Sequence, residues 1–267
     1  MRLWVKVCFA EVKKQNQNYY NTIELYLSML LWPFLSGMGS YYIYRSFNLS
    51  ELVKIGISNN TDLAVFVFTG ALAYNCFFSM IQSALFLRNE RENGTLEIVF
   101  LSPANRLALV YGRALGGIVQ NVGMFSLFIA IIFAIIGKFN LFFLGKTLIC
   151  FLFIFFSSTI WGGLINAIFI VSRDVDFWFT LCDEPMKVLS GTEIPIVLMP
   201  IFFKILGGIF PLTYCLLLIR NVFFCEKINL KIIFANIIVL IVLIMITKIV
   251  LFVTEKMNRK TGNLQFY

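Results

Sequence analysis

The chain contains no histidine, and this absence removes the side chain that proteins use most often as a general base and metal ligand. Its cysteines show neither a Cys-x-x-Cys pair nor any metal-binding spacing; they occupy positions 8, 76, 150, 182, 215 and 225. Most of them lie in apolar stretches, where a thiol packs as a small apolar group. The sequence therefore predicts neither a metal site nor a catalytic centre.

Charged residues are scarce as well, at 13 % of the chain, against about 25 % in a typical soluble domain. Hydrophobic residues reach 60 %, and the mean hydropathy is +0.86. Such a chain cannot cover a water-exposed surface with polar groups, so it is predicted to be an integral membrane protein. The net charge of +8 comes without a basic run interleaved with aromatics, so the excess of Lys and Arg on the cytoplasmic side of membrane proteins explains it better than binding of nucleic acid.

Long runs without charge predict an all-α fold with six transmembrane helices, because a crossing takes about 20 helical residues. Four runs suffice for one crossing each: Leu25–Tyr44, Leu63–Leu87, Ala114–Gly137 and Thr147–Ser172. Another is Ile232–Thr247, which continues past one lysine as Ile249–Thr254. Between Phe177 and Ile219, charges and prolines interrupt apolar sequence. This pattern predicts one crossing followed by outer re-entrant half-helices, within residues 191–222.

An even number of spans places both termini on one side, and the distribution of Lys and Arg favours the cytoplasm for that side. We expect a multi-pass protein of the cell inner or plasma membrane, with positions 93 and 58 on opposite faces. Residues 1–20 lack the apolar core of a signal peptide. With Arg2, Lys6 and Lys13 on one stripe, they predict an interfacial amphipathic helix, followed by a single membrane domain at 21–267.

The stretch NLFFLGKT, from Asn140 to Thr147, ends like a phosphate-binding loop. That motif requires a glycine at position 140, and two phenylalanines fill the loop here. The chain is therefore not expected to bind a nucleotide or any other cofactor, nor to be an enzyme by itself.

A short polar segment interrupts the apolar sequence between the second and third predicted spans. The orientation given above places this segment in the cytoplasm. Asn93-Gly94 favours a turn, and the Thr95 hydroxyl can cap a new helix. Leu96, Val99 and Phe100 then follow at helical spacing and predict an apolar face two turns long.

Ser102-Pro103 ends this predicted helix, because the residue before a proline avoids the helical region. The same pair can begin the next helix, with Ser102 as the cap and Pro103 at the first helical position. A bare loop gains nothing from exposing such an apolar face, so we expect this face to pack against another surface.

The block ERENGTLEIVFLSPANRLALVYGR resembles the segment between the second and third spans of ABC-2-type permeases, the membrane halves of ATP-binding-cassette exporters. The matching residues are Glu90, Glu92, Gly94, Thr95, Leu96, Glu97, Ser102, Pro103 and Arg106. Weaker matches lie in SRDVDFW, LSG, IP and PLTY, the last followed by Arg220. With six spans and an N-terminal interfacial helix, the resemblance covers nearly the whole chain.

The resemblance implies that the short helix is a coupling helix within residues 88–106, and that it docks into a separate ATPase subunit. ATP and Mg²⁺ would be bound by that partner. It also implies two permease copies per transporter, as a homodimer or with a related permease, and two ATPase subunits.

The predicted fifth span departs from an apolar pattern because it carries Asp183 and Glu184, with Lys187 one turn on. Charges inside a membrane normally face a partner or a water-filled cavity, so these three residues are candidates for a substrate path. In one alternative, Asp183 and Lys187 neutralise each other at i, i+4 spacing. In another, the span is shifted and the residues lie at an aqueous mouth.

The third span carries a strip of small residues at Gly112, Gly116 and Gly123, which predicts close helix packing, either within the chain or across a dimer.

The function that these patterns favour is outward movement of an amphipathic substrate, such as a drug, a peptide or bacteriocin, or a lipid-linked glycan. The alternatives are a stand-alone secondary transporter or channel with an intramembrane carboxylate relay, and an intramembrane acyl- or glycosyltransferase that uses a base other than histidine.

Overall fold

A computed structural model describes residues 2–20, 22–46, 57, 59–136, 141–172, 174–225 and 229–261. The first half contains α1 (Arg2–Gln15), α2 (Ile23–Arg45), α3 (Asn60–Glu92), α4 (Thr95–Leu101), α5 (Arg106–Ala114) and α6 (Ile118–Ile136). The second half contains α7 (Leu141–Val171), α8 (Val175–Leu189), α9 (Ile201–Gly207), α10 (Pro211–Cys225) and α11 (Leu230–Thr261). A π-helical turn at Asn16–Tyr20 and 3₁₀ turns at Leu115–Gly117 and Ile196–Leu198 complete the described structure. The predicted all-helical fold is confirmed for this part of the chain.

Four helical stretches of the described chain are long and apolar enough to cross a membrane: Asn60–Glu92, Arg106–Phe133, Phe143–Ile170 and Leu230–Lys256. They correspond to the second, third, fourth and sixth predicted spans. Helix α2 covers the first predicted span as a 23-residue helix that contains Pro33, but it is not among these four. In the fifth region, α9 and α10 meet at an angle of 100°, as either a broken span or a re-entrant loop.

Helix α3 forms the centre of the bundle and packs against α2, α6, α7 and α10. In the most apolar 18-residue stretch of α3, 89 % is buried inside the bundle. In the corresponding stretch of α11, at the edge of the bundle, 22 % is buried. Hydrogen bonds between buried serine and asparagine side chains join the helices: Ser79–Asn121 at 2.6 Å, Ser83–Asn166 at 2.9 Å and Ser157–Asn236 at 2.8 Å. Each such bond adds about 0.6 kcal/mol in a membrane bundle, so together they favour one arrangement of the helices.

Helix α1 packs along α5 with Cys8, Glu11 and Gln15 inward. Glu11 and Gln15 are buried, whereas Val5 and Phe9 are exposed. Lys6 and Lys13 are exposed on the same side as Val5 and Phe9, and an outer face that mixes lysines with apolar residues suits a helix in the membrane interface. A helix is therefore present where the sequence predicts one, its place in the membrane interface stays a prediction, and the structure adds that buried polar residues face the bundle.

The small-residue strip of the third span serves this contact at two of its three positions. A Cβ atom added to Gly112 would lie 3.0 Å from the Cys8 Cα, and one added to Gly116 would lie 2.7 Å from the Gln15 Cβ. Nothing described lies within 4 Å of a Cβ added to Gly123. Gly112 and Gly116 thus pack within the chain. For Gly123, packing across a dimer stays a prediction.

Replacing Gly112 with alanine should loosen α1, because the added methyl group meets backbone atoms of that helix. The readout is the labelling rate of Cys8, in a chain whose other cysteines are replaced. Its thiol is buried, donates to the Ala108 carbonyl at 3.1 Å, and has a pKa raised by burial and by Glu11, so labelling should be slow. We expect about tenfold faster labelling in Gly112→Ala, since about 1.4 kcal/mol less protection corresponds to that factor. Gly123→Ala is the matched control and should label like the parent.

Candidate functional site

Helix α4, within the predicted coupling segment, follows α3 after a sharp turn. Gly94 adopts a φ of 66°, a conformation that glycine reaches without steric cost. The Thr95 hydroxyl donates to the Glu90 carbonyl at 3.1 Å, at the end of α3. The Thr95 side chain therefore bonds to the end of the preceding helix, α3. The prediction that its hydroxyl caps α4 is wrong.

The apolar residues of α4 divide between the chain's own core and its surface. Leu96 is buried and belongs to the hydrophobic core, although the sequence predicts it on the outward face. Val99 is half-buried, and Glu97 and Phe100 lie on the same helix. Ile98 is 69 % exposed, which makes it the outward apolar contact of α4 among side chains the structure describes.

The end of α4 differs from the prediction in one respect. The Ser102 hydroxyl donates to the Val99 carbonyl at 2.7 Å, and α4 ends at Leu101 as predicted. The next helix begins only at Arg106, where the Asn105 side chain accepts hydrogen bonds from two backbone N–H groups. Neither Ser102 nor Pro103 starts α5, because Asn105 satisfies the free N–H groups of that helix.

Three arginines anchor the segment on both sides of α4. Arg106 bridges α4 and α11, with its Nε 3.3 Å from a Glu255 carboxylate oxygen and its Nη1 3.3 Å from the Val99 carbonyl. Arg91 donates to carbonyl groups at the end of α7. Arg88 pairs with Glu92 at 3.2 Å and with Asp176 of α8 at 2.8 Å. Arg88 and Arg91 thus join α3 to α8 and α7, whereas α4 itself is contacted by α3 through Thr95 and by Arg106 at Val99.

A buried charge cluster lies directly behind the turn into α4. Arg113 of α5 is fully buried and forms an ion pair with Glu90 of α3. Lys14 lies 3.0 Å from the same carboxylate, Gln15 donates to it at 3.3 Å, and the second carboxylate, that of Glu11, lies 3.8 Å from Arg113 Nε. Two positive and two negative side chains therefore balance in a buried space and join α1, α3 and α5.

At the other end of α3, a cavity of about 390 Å³ lies between α2, α3 and α8. Aromatic and ionisable side chains share its wall: Trp32, Tyr74, Phe78, Phe179, Asp183, Glu184, Lys187 and Glu193. A second cavity, also of about 390 Å³, adjoins it and shares Trp32, Asn75 and Phe78. The structure thus brings the three predicted path residues of α8 together at one cavity.

The charges in this cavity pair differently from the i, i+4 alternative. Tyr74 donates a hydrogen bond to Asp183 Oδ2 at 2.7 Å, whereas Lys187 pairs with Glu193 at 3.3 Å. Asp183 is buried and Glu184 is exposed. Asp183 and Lys187 therefore do not form the i, i+4 ion pair of that alternative. Asp183 is hydrogen-bonded to Tyr74 of α3, and Lys187 pairs with Glu193 beyond the end of α8.

Arg220 of α10 holds the chain that closes the cavity. Its guanidinium donates to the carbonyl groups of Gly191 at 2.7 Å and Thr192 at 3.0 Å. Gly70 of α3 allows this contact, since a Cβ atom there would lie 2.5 Å from the Thr192 carbonyl oxygen. The clamp fixes the turn after α8 and, with it, the position of Glu193. The sequence marks Arg220 only as a weak family match.

The helices define the class of protein: an all-helical chain whose apolar helices fit a multi-pass membrane protein. A comparison with protein-family models and with curated proteins finds no match to this chain. Two features of the described chain bear on its function: helix α4 and the cavity beside α8.

Proposed function

We propose that the chain is the transmembrane permease subunit of an ATP-driven exporter of the ABC-2 type, with six spans and both termini in the cytoplasm. The observation that carries the proposal is α4, a two-turn helix bounded by the Gly94 turn and the Ser102-Pro103 break, contacted by Arg106 at Val99 and presenting Ile98 outward. A rigid helix with an exposed apolar contact transmits movement from a partner to the bundle. The partner is a separate ATPase subunit that binds ATP and Mg²⁺.

In this proposal the cavity lined by Asp183, Glu184 and Lys187 belongs to the substrate path, and two permease copies form the transporter. ATP hydrolysis on the partner moves an amphipathic substrate outward as the helices around the path rearrange. Two observations support the path: the cavity adjoins a second one at Trp32, and the buried carboxylate of Asp183 lines it.

A second candidate function is a stand-alone secondary transporter in which Asp183 relays protons. The buried Asp183, hydrogen-bonded to Tyr74, favours it. The two functions differ in their energy source. Uptake into inverted vesicles should require ATP and the partner for the exporter, whereas a proton gradient alone should drive the secondary transporter.

The proposed function is tested by purifying the tagged chain from its own cells. We expect a subunit with a phosphate-binding loop to co-purify, and the preparation to hydrolyse ATP. Both should disappear when Ile98 is replaced by aspartate, whereas a preparation without ATP hydrolysis that still transports would contradict the proposal.

The proposed orientation predicts opposite labelling at the two ends of α3. Asn59 and Asn93 flank this helix and are exposed, and its 33 residues span about 50 Å, enough to cross a bilayer. Single cysteines at the two positions, in a chain without native cysteines, should react with an impermeant thiol reagent from outside and from inside, respectively. Labelling of both from the same side would overturn the six-span arrangement.

A further inference from the structure

We propose that the cavity between α2, α3 and α8 binds a lipophilic organic cation, a molecule with a positive charge on an aromatic or apolar body. This inference rests on the proposed function and specifies its substrate class. The first argument is charge. Three carboxylates line the cavity, those of Asp183, Glu184 and Glu193, against the single ammonium group of Lys187 among its lining residues. With all four ionised, the wall carries a net charge of −2.

The second argument is a carboxylate oxygen without a donor. Asp183 is only 4 % exposed, and Tyr74 satisfies one of its oxygens. No hydrogen-bond donor among the described residues satisfies the other oxygen, Oδ1. A buried carboxylate oxygen without a donor is costly, and a positively charged group in the cavity would offset that cost.

The third argument is the aromatic wall of the cavity, which already contacts one positively charged side chain, that of Lys187. The Lys187 ammonium lies 5.8 Å from the centre of the Tyr74 ring, within the range of a cation–π contact. Phe78 packs edge-on against Phe179 at 5.8 Å and contacts Tyr74 at 6.0 Å between ring centres. The rings form a continuous surface that attracts a positive charge and packs against an apolar body.

The fourth argument is the space for that body. The adjoining cavity opens beside Trp32 and is lined largely by apolar side chains, among them Leu31, Leu35 and Met124. A ligand that places its charge near Asp183 can therefore extend its apolar part towards α2. Because Lys187 pairs with Glu193, two further carboxylates remain on the wall, and this excess negative charge discriminates against anions.

The test uses two ions of the same shape and opposite charge, tetraphenylphosphonium and tetraphenylborate. Each is titrated against the purified full-length chain in nanodiscs of zwitterionic lipid, without the ATPase, and empty nanodiscs provide the background. We expect saturable binding of the phosphonium only. Asp183→Asn keeps the side-chain shape and should weaken this binding tenfold or more. Lys187→Gln should strengthen it severalfold, since it removes the one positive charge and frees Glu193.

Lys204→Gln is the matched control, because this lysine is exposed on α9, outside the cavity, and donates to the Val197 carbonyl. It should leave binding unchanged. General unfolding would lower binding in both Asp183→Asn and Lys187→Gln, so opposite shifts exclude it. The inference is overturned if the phosphonium does not saturate, if both ions bind equally, or if the two variants shift binding in the same direction. Because the ATPase is absent from this assay, its failure leaves the co-purification test of the proposed function standing.

Discussion

Replacing Ile98 with aspartate should abolish ATP-dependent transport while leaving the membrane domain folded. The side chain is 69 % exposed, so the substitution costs the isolated chain little stability, within about 0.5 kcal/mol. In the assembled transporter the same position is expected to enter an apolar groove of the ATPase. A charge buried there without a partner should weaken association about a hundredfold, which corresponds to about 2.8 kcal/mol. The measurement is the affinity of the purified chain for the proposed ATPase subunit, together with the thermal stability of the chain alone.

Asn93→Asp is the matched control for charge, because it adds the same negative charge at an exposed residue just before the Gly94 turn. It should retain association within a fewfold. Leu96→Ala is the control for folding: this residue is buried, so its truncation should lower stability by about 2–5 kcal/mol. Full association and transport in Ile98→Asp would refute the assignment of α4 as a docking helix.

Glu90→Gln should be among the most destabilising single substitutions in the chain. Its carboxylate contacts Arg113 and Lys14, and Arg113 is completely buried. Glutamine keeps the size of the side chain but leaves two positive charges against Glu11 alone. Removing one partner of a buried ion pair costs about 3–5 kcal/mol. The fall in the free energy of unfolding can be measured by titrating the purified chain with a denaturing detergent.

Arg88→Gln provides the comparison, because Arg88 pairs with Glu92 and Asp176 at an exposed site, where ion pairs contribute little. The double variant Glu90→Leu with Arg113→Met should be closer in stability to the parent than Glu90→Gln, since it removes both charges of the pair and keeps the volume. Equal stability of Glu90→Gln and Arg88→Gln would show that the cluster contributes nothing.

Patterns within a few residues of one another predicted local structure well. The turn at Asn93-Gly94 and the break at Ser102-Pro103 bound α4, and both depend on the backbone preferences of those residues. The bent pair α9 and α10 follows the prolines and charges of the fifth region. Helical spacing could not tell which side of α4 faces the chain's own core. Leu96 and Ile98 are both apolar, and only tertiary packing decides between them.

Contacts between distant residues could not be predicted from such patterns. Glu90 and Arg113 lie on different helices, and nothing in their local sequence indicates that they meet. The same holds for Lys187, whose partner Glu193 lies beyond the end of α8, past the Gly191 turn. The spacing of Asp183 and Lys187 allowed an ion pair between them. In the structure the hydroxyl of Tyr74, on another helix, bonds to Asp183 instead.

The polar inner face of α1 has a consequence for biogenesis. The ribosome makes α1 long before the residues that it packs against: Cys8 bonds to a residue 100 positions later, and Gln15 to one 75 positions later. Until those residues emerge, Glu11 stays hydrated while Phe9 rests against lipid. The helix therefore remains on the membrane surface during synthesis and closes onto the bundle late. A nascent chain that stops before Arg113 lacks the buried arginine that pairs with Glu90, so the contact that joins α1, α3 and α5 is completed only after residue 113 has been made.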